Sequence, residues 1–276
     1  MVVGRQRPQP RLAPGVLGSG VRERAAVNQP PPVKALAGIE GFKLKASRAD
    51  GGHVVSGVLP WVSNLGDGHW FGTIFEDTAD PAHRLMAMVR CSQPGVEIRQ
   101  NARFVALEGT GTYSVLFRRP FIAEDMLPAD PLGDMARRIR PGFVLLQTGM
   151  GLGVIDGCIA SMHVADRTHR STNQHLPKRP EDFKTAVSAL RGTSMQLAAI
   201  PNEQAPDYIR AVLEARLATS ELTLEATQAA VLHGGARGYI EGSAIARRQR
   251  EGNFVALITP SVRHLRMELA NAGTRH

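Results

Sequence analysis

The sequence predicts an α+β protein: a β-barrel or sandwich domain followed by a four-helix-type bundle, behind a disordered N-terminal tail. Three changes of pattern carry this reading. Residues 1–33 are rich in Pro, Gly, Arg and Gln and have no apolar periodicity. Residues 34–130 break into short β-rich runs separated by Gly, Asp and Pro. Residues 131–276 shift to the long Ala, Leu and Met spacing of packed helices. A chain of 276 residues that is 43% apolar has ample material for such cores.

The tail holds five arginines against Glu23, a net of +4, which is half of the whole chain's +8. The remaining excess is dispersed, with clusters at Arg137, Arg138 and Arg140 and at Arg247, Arg248 and Arg250. Neither cluster is interleaved with aromatic residues, which make up only 5% of the chain, so a nucleic-acid partner is not expected. No apolar run reaches the roughly 18–20 residues of a transmembrane helix, so no membrane partner is expected either. The start lacks the apolar core of a secretory signal. It is Arg-rich like a transit peptide, but six prolines oppose the amphipathic helix such peptides form. Cys91 and Cys158 are far apart without CxxC spacing and read as buried free thiols of a reducing compartment, which makes the protein cytoplasmic.

The expected strands are Phe42–Ala46, His53–Gly57, Trp70–Phe75, Leu85–Val89, Ala102–Leu107 and Tyr113–Phe117. Asp50–Gly51–Gly52 supplies the turn between the first two, because Gly and Asp accept positive φ at little cost. A long helix is expected over 134–170, entered near Pro141, followed by helices over about 180–199, 203–219, 221–233 and 260–271. Pro180–Glu181–Asp182 is a helix start, with acids at the positive end of the dipole, and Gly234–Gly235 is a helix stop.

Several segments carry a more specific signal. Gly51 to Asn64, reading GGHVVSGVLPWVSN, resembles the "dGyvlnGxKxWITN" segment of the acyl-CoA dehydrogenase family. Leu107 to Thr112 with Val115–Phe117 and Phe121–Ile122 resembles the end of that family's β-domain. His233 to Tyr239 resembles its "QxxGGxGY" segment, although the family glutamine falls on Val231 and one residue is inserted before Gly238. Arg170 stands near the place of the "RxxFG" arginine, with Thr172–Asn173 in place of the aromatic–Gly pair. The resemblance runs from about Phe42 to Leu269. It leaves the family's N-terminal helical domain unmatched, a truncation that a late start, a frame shift or a deletion would each explain. Leu36–Glu40 stands near the family's "TEPxAGSD" strip and keeps little of its polar chemistry.

The resemblance implies FAD as cofactor and a homo-oligomer, a dimer or tetramer, that shares it. Trp61 would cover the isoalloxazine, while Ser63 would donate toward N5 and O4. Arg170 would reach FAD phosphates, and the backbone N–H groups of Gly234 and Gly235 would approach the pyrophosphate of FAD bound to a neighbouring subunit. Gly149–Met150–Gly151–Leu152–Gly153 is read instead as close helix packing, since no strand precedes it and the GxGxxG spacing fails. The family's catalytic glutamate falls on Thr259, followed by Pro260, and the alternative position of that base falls on about Phe143. Asp156, Glu241 and Glu251 lie in nearby segments without a motif, so no catalytic residue is assigned. Three readings remain: an oxidoreductase acting on CH–CH groups of an acyl-CoA or other organic substrate, a flavin-dependent monooxygenase of the same fold, and a truncated non-catalytic remnant or subunit.

Overall fold

The computed structural model describes residues 25–26 and 42–273. It divides into two compact units: residues up to Arg103 with Glu108–Met135, and Phe104–Leu107 with the chain from Ala136 onward.

The first unit is a curled, mixed seven-stranded sheet. Its strands are β1 (Ala25–Ala26), β2 (Leu44–Ala49), β3 (Gly52–Val62), β4 (Trp70–Asp77), β5 (Arg84–Arg90), β6 (Val96–Arg99) and β7 (Tyr113–Ala123). The order is β1–β4–β2–β3–β7–β6, and β5 also pairs with β4. Asp50–Gly51 closes the β2–β3 hairpin with Gly51 at φ +71° and Ala49 opposite Gly52, the turn the sequence predicts. The long β3 and β7 form the antiparallel centre, with irregularities between Val54 and Ser56 and between Leu59 and Val62. Their inner faces bury Val55, Leu59, Val115, Phe117 and Ile122 against Phe71 and Phe75 of β4. Phe71 and Phe117 meet edge-to-face at 6.2 Å, a favoured aromatic geometry.

The second unit is helical, with α1 (Gly133–Asn173), α2 (Pro180–Ala198), α3 (Pro206–Gly234), α4 (Ala244–Leu257) and α5 (Val262–Gly273) among the described residues. Leu152, Ile155, Cys158 and Met162 of α1 pack with Phe183 and Val187 of α2 and Ala226 and Ala230 of α3. Gly151 is the close contact expected of the glycine-rich stretch. A Cβ there would lie 2.6 Å from Thr219 Cγ2, whereas Gly149 and Gly153 face open space. Cys91 and Cys158 are both free and buried.

Several expected elements are corrected. Ala102–Leu107 is no strand: alternation misleads there because Phe104–Leu107 belongs to the helical unit, where Arg250 Nε donates to Val105 O at 2.5 Å. The short β6 and helix α4 were not anticipated. Helices over 203–219 and 221–233 are one helix, α3, because Ser220 turns its hydroxyl back onto Arg216 O at 2.9 Å and does not break the chain. Pro141 lies inside α1, not at its entry. That helix also contains an 18-residue window apolar enough by composition to cross a membrane, contrary to the sequence reading, and 50% of the window is buried inside the structure. Ala25–Ala26 pair in parallel with Trp70–Phe71, so the structureless tail does not extend through these two residues. The rest of residues 1–33, and Leu36–Glu40, lie outside the described residues.

Candidate cofactor site

In the sheet unit, two of the quoted motif segments meet in one corner. As β3 ends, Asn64 takes φ +61° and its backbone N–H donates to Thr110 O at 2.6 Å, while Leu65 N–H donates to Gly111 O at 3.0 Å. Gly111 sits at φ +57°, where a Cβ would lie 2.6 Å from Leu65 O, so the close approach needs glycine. His69 Nδ1 lies 3.0 Å from Asn64 O and holds the other side of the corner. Ser63 Oγ accepts from Thr112 Oγ1 at 2.8 Å, which leaves its own O–H available to a further acceptor. Beside it Trp61 presents its ring outward, 58% exposed, as the largest side chain near the corner.

In the helical unit, α3 ends at Gly234, and Gly235 turns the chain at φ +54° into the short 3-10 helix Gly235–Tyr239. A Cβ on Gly234 would lie 2.5 Å from Ile245 Cδ1, so the Ile245 side chain packs closely on this glycine, while Gly235 faces open space. The turn forms one wall of a pocket of 460 Å³. The end of α1 also lines it, with His169, Thr172 and Asn173, the residues around Arg170. His169 is non-helical at φ −121°, ψ 17°, which kinks α1 at the pocket. Arg170 is exposed in the last turn of α1 and is not itself part of the lining. Arg237, which precedes Gly238, is exposed and lines the pocket with His169.

Below the pocket, Asp166 gathers the charges. Its Oδ1 accepts from Asn173 Nδ2 at 2.9 Å and lies 3.3 Å from His233 Nδ1, while Arg179 pairs with Oδ2. Burial alone would raise the Asp166 carboxyl, but hydrogen bonds from Asn173 and His233 and the charge of Arg179 outweigh it and hold the group below the usual carboxylate range.

The third segment is the turn after α4. Gln147 Nε2 donates to Thr259 O at 2.8 Å, and Gln147 Oε1 in turn accepts from Arg216 Nε at 3.2 Å. Arg216 is fully buried with Ser220 and Val255 O as its other acceptors, and burial lowers its pKa to about 10. Ser261, which follows Pro260, caps α5 and places its hydroxyl 3.0 Å from His264 Nδ1. Of the acids of nearby segments, Asp156 is exposed and pairs with Arg191, Glu251 is half-buried and pairs with Arg247, and Glu241 is exposed. Among the described residues no group of three or more His, Cys, Asp or Glu could hold a metal ion.

Of the residues that the resemblance assigns to FAD, Gly234 and Gly235 line the pocket, Trp61 and Ser63 stand at the corner, and Arg170 lies outside the lining. Sequence reasoning missed Asp166, Asn173, His233 and Arg237. His233 and Arg237 flank the recognised glycines, but nothing local in the sequence pairs Asp166 with residue 233.

The architecture has well-characterised counterparts. A chain in the structure of the electron transferring flavoprotein of Acidaminococcus fermentans superposes with a TM-score of 0.75 at 17% identity, over 91% of this chain and 68% of that one. Butyryl-CoA dehydrogenase from Megasphaera elsdenii gives 0.72 at 16% identity, over 91% and 67%. Dibenzothiophene monooxygenase (TdsC) from Paenibacillus sp. A11-2 gives 0.72 at 18% identity, over 85% and 68%. The fold is that of the acyl-CoA dehydrogenase-like flavoproteins. At these identities the likeness is one of fold. No family model and no curated protein matches the sequence.

Proposed function

We propose that the protein is a flavin-dependent oxidoreductase that binds FAD as a cytoplasmic homo-oligomer, a dimer or tetramer. The observation that carries this is convergence. The segments around Arg170 and at Gly234–Gly235 resemble a flavoprotein family separately, and they line one pocket. The residues fit a dinucleotide. Gly235 leaves space where a side chain would stand, and the His169 and Arg237 rim suits phosphate oxygens. Gly234, Gly235 and Arg170 are assigned to the pyrophosphate, and Trp61 and Ser63 to the ring, with the Ser63 hydroxyl donating toward its polar edge. When bound, FAD supplies a two-electron acceptor for a hydride. The protein's part is to orient that ring against Trp61 and to favour charge on it by donation from the corner.

A second reading, a monooxygenase of the same fold, is favoured by one observation. Thr259 and Phe143, the two positions where the resemblance places a base, carry no carboxylate, and Asp156 and Glu251 are engaged by Arg191 and Arg247. Abstraction of an α-proton from an acyl-CoA relies on a positioned base, worth about 10²–10⁴-fold in rate. Activation of O₂ by reduced flavin needs no such group. Anaerobic mixing of the FAD-loaded protein with acyl-CoA substrates separates the readings: bleaching of the flavin band supports CH–CH oxidation. No bleaching, with rapid O₂ consumption by the chemically reduced protein and an aromatic substrate, supports oxygenation. A protein that stays colourless in excess FAD leaves the non-catalytic subunit.

A further inference from the structure

We propose that Asp166 is a positioning residue of this pocket, fixing Asn173 and His233, and through them the Gly234–Gly235 turn, in the geometry that receives a phosphate. The ligand's identity rests on the flavin reading above; the positioning rests on hydrogen bonds alone. Asp166 is not part of the pocket lining, yet its two oxygens take donors from three places: Asn173 at the end of α1, Arg179 at the start of α2 and His233 at the end of α3. The ring is closed by further bonds. Asn173 Nδ2 also donates to His233 O at 3.1 Å, Arg179 Nη1 donates to Asn173 O at 2.6 Å, and His233 Nε2 lies 3.1 Å from Lys178 O. Asn173 and His233 are 5% and 1% exposed, so neither can exchange these bonds for water without the turn moving.

Only a carboxylate satisfies this arrangement, because it accepts on both oxygens. An amide in its place would turn N–H groups toward Asn173 and His233 or toward Arg179. The groups facing it are the Arg179 guanidinium and the His233 imidazole. Nearby, Lys178 is paired with Glu225 and the Arg179 backbone N–H donates to Asp182, while His169 and Arg237 stand at the rim. Asp166 therefore holds the floor in place and balances Arg179, leaving Arg237 at the rim for the ligand.

The test compares the full-length wild type with Asp166→Asn, Asp166→Glu and Arg179→Gln by amide hydrogen exchange over 231–237 and by FAD titration. Asp166→Asn is expected to speed exchange at Gly234 and Gly235, leave the β3–β7 pairing unchanged, and weaken FAD by about tenfold, the scale of a charged hydrogen bond. Asp166→Glu, which keeps two acceptor oxygens, is expected to recover most of that affinity; a merely structural role would not give this pattern. Should Asp166→Asn fail to fold, Arg179→Gln is expected to loosen the same amides to a smaller degree. Unchanged exchange at these amides in a folded variant overturns the proposal. Loosened amides in a protein that binds no FAD even as wild type would overturn the flavin reading and uphold the positioning role.

Discussion

The backbone N–H of Asn64 donates to the carbonyl of Thr110 over 2.6 Å, which binds the end of β3 to the glycine turn that precedes β7. This contact makes one corner of two segments that resemble family motifs independently. It also fixes the end of β3, where Trp61 lies within the strand and Ser63 directly follows it.

Gly111 is the hinge of that corner. Gly111→Ala would set a Cβ 2.6 Å from Leu65 O and force a side chain into φ +57°. A loss of about 1–3 kcal/mol in urea unfolding is expected, the usual cost of such strain. The same variant is expected to lower FAD retention, because Ser63 takes its bearing from Thr112.

Two glycines of α1 should respond with opposite signs. Gly151→Ala pushes into Thr219 and Thr223 and is expected to destabilise by about 1–3 kcal/mol. Gly149→Ala meets nothing within 4 Å on an exposed helical face and is expected to stabilise by about 0.5–1 kcal/mol. Thermal melts of the pair distinguish close helix packing from a flexible glycine loop.

Asp166 gives stability a pH signature. Its folded pKa lies below its unfolded one, so the unfolded chain binds more protons in acid. The contribution is complete above the unfolded value of about 4 and is lost as pH falls through the lower folded value. Urea melts should show the wild-type advantage over Asp166→Asn constant near neutrality and shrinking in acid below that value.

The two thiols should be silent in the folded protein. Burial pushes Cys158 up to about 12 and raises Cys91 as well, and neither is exposed. Thiolate is the reactive form. A colorimetric disulfide reagent at pH 8 is therefore expected to label neither cysteine before denaturation and both after it.

How far the sequence spoke depended on the range of each interaction. The Asp50–Gly51 turn and the helix start at Pro180 were legible, because the backbone demands that shape them are local. Val96–Arg99 was missed because four residues after Pro94–Gly95 give too short a pattern. Ala102–Leu107 misled because its apolar residues serve the helical unit. The glycines of the pocket were legible, since Gly234 answers to Ile245 and Gly235 to a positive φ. The Asp166–His233 pairing was not, because it exists only once α1, α2 and α3 have closed around it.

The most direct test of flavin binding is the visible absorption spectrum of the purified 276-residue protein, before and after adding excess FAD and gel filtration. Flavin bands that elute with the protein, and that fade in Gly235→Val, are the expected result. A colourless protein that excess FAD cannot convert would contradict it and leave the fold without its cofactor chemistry.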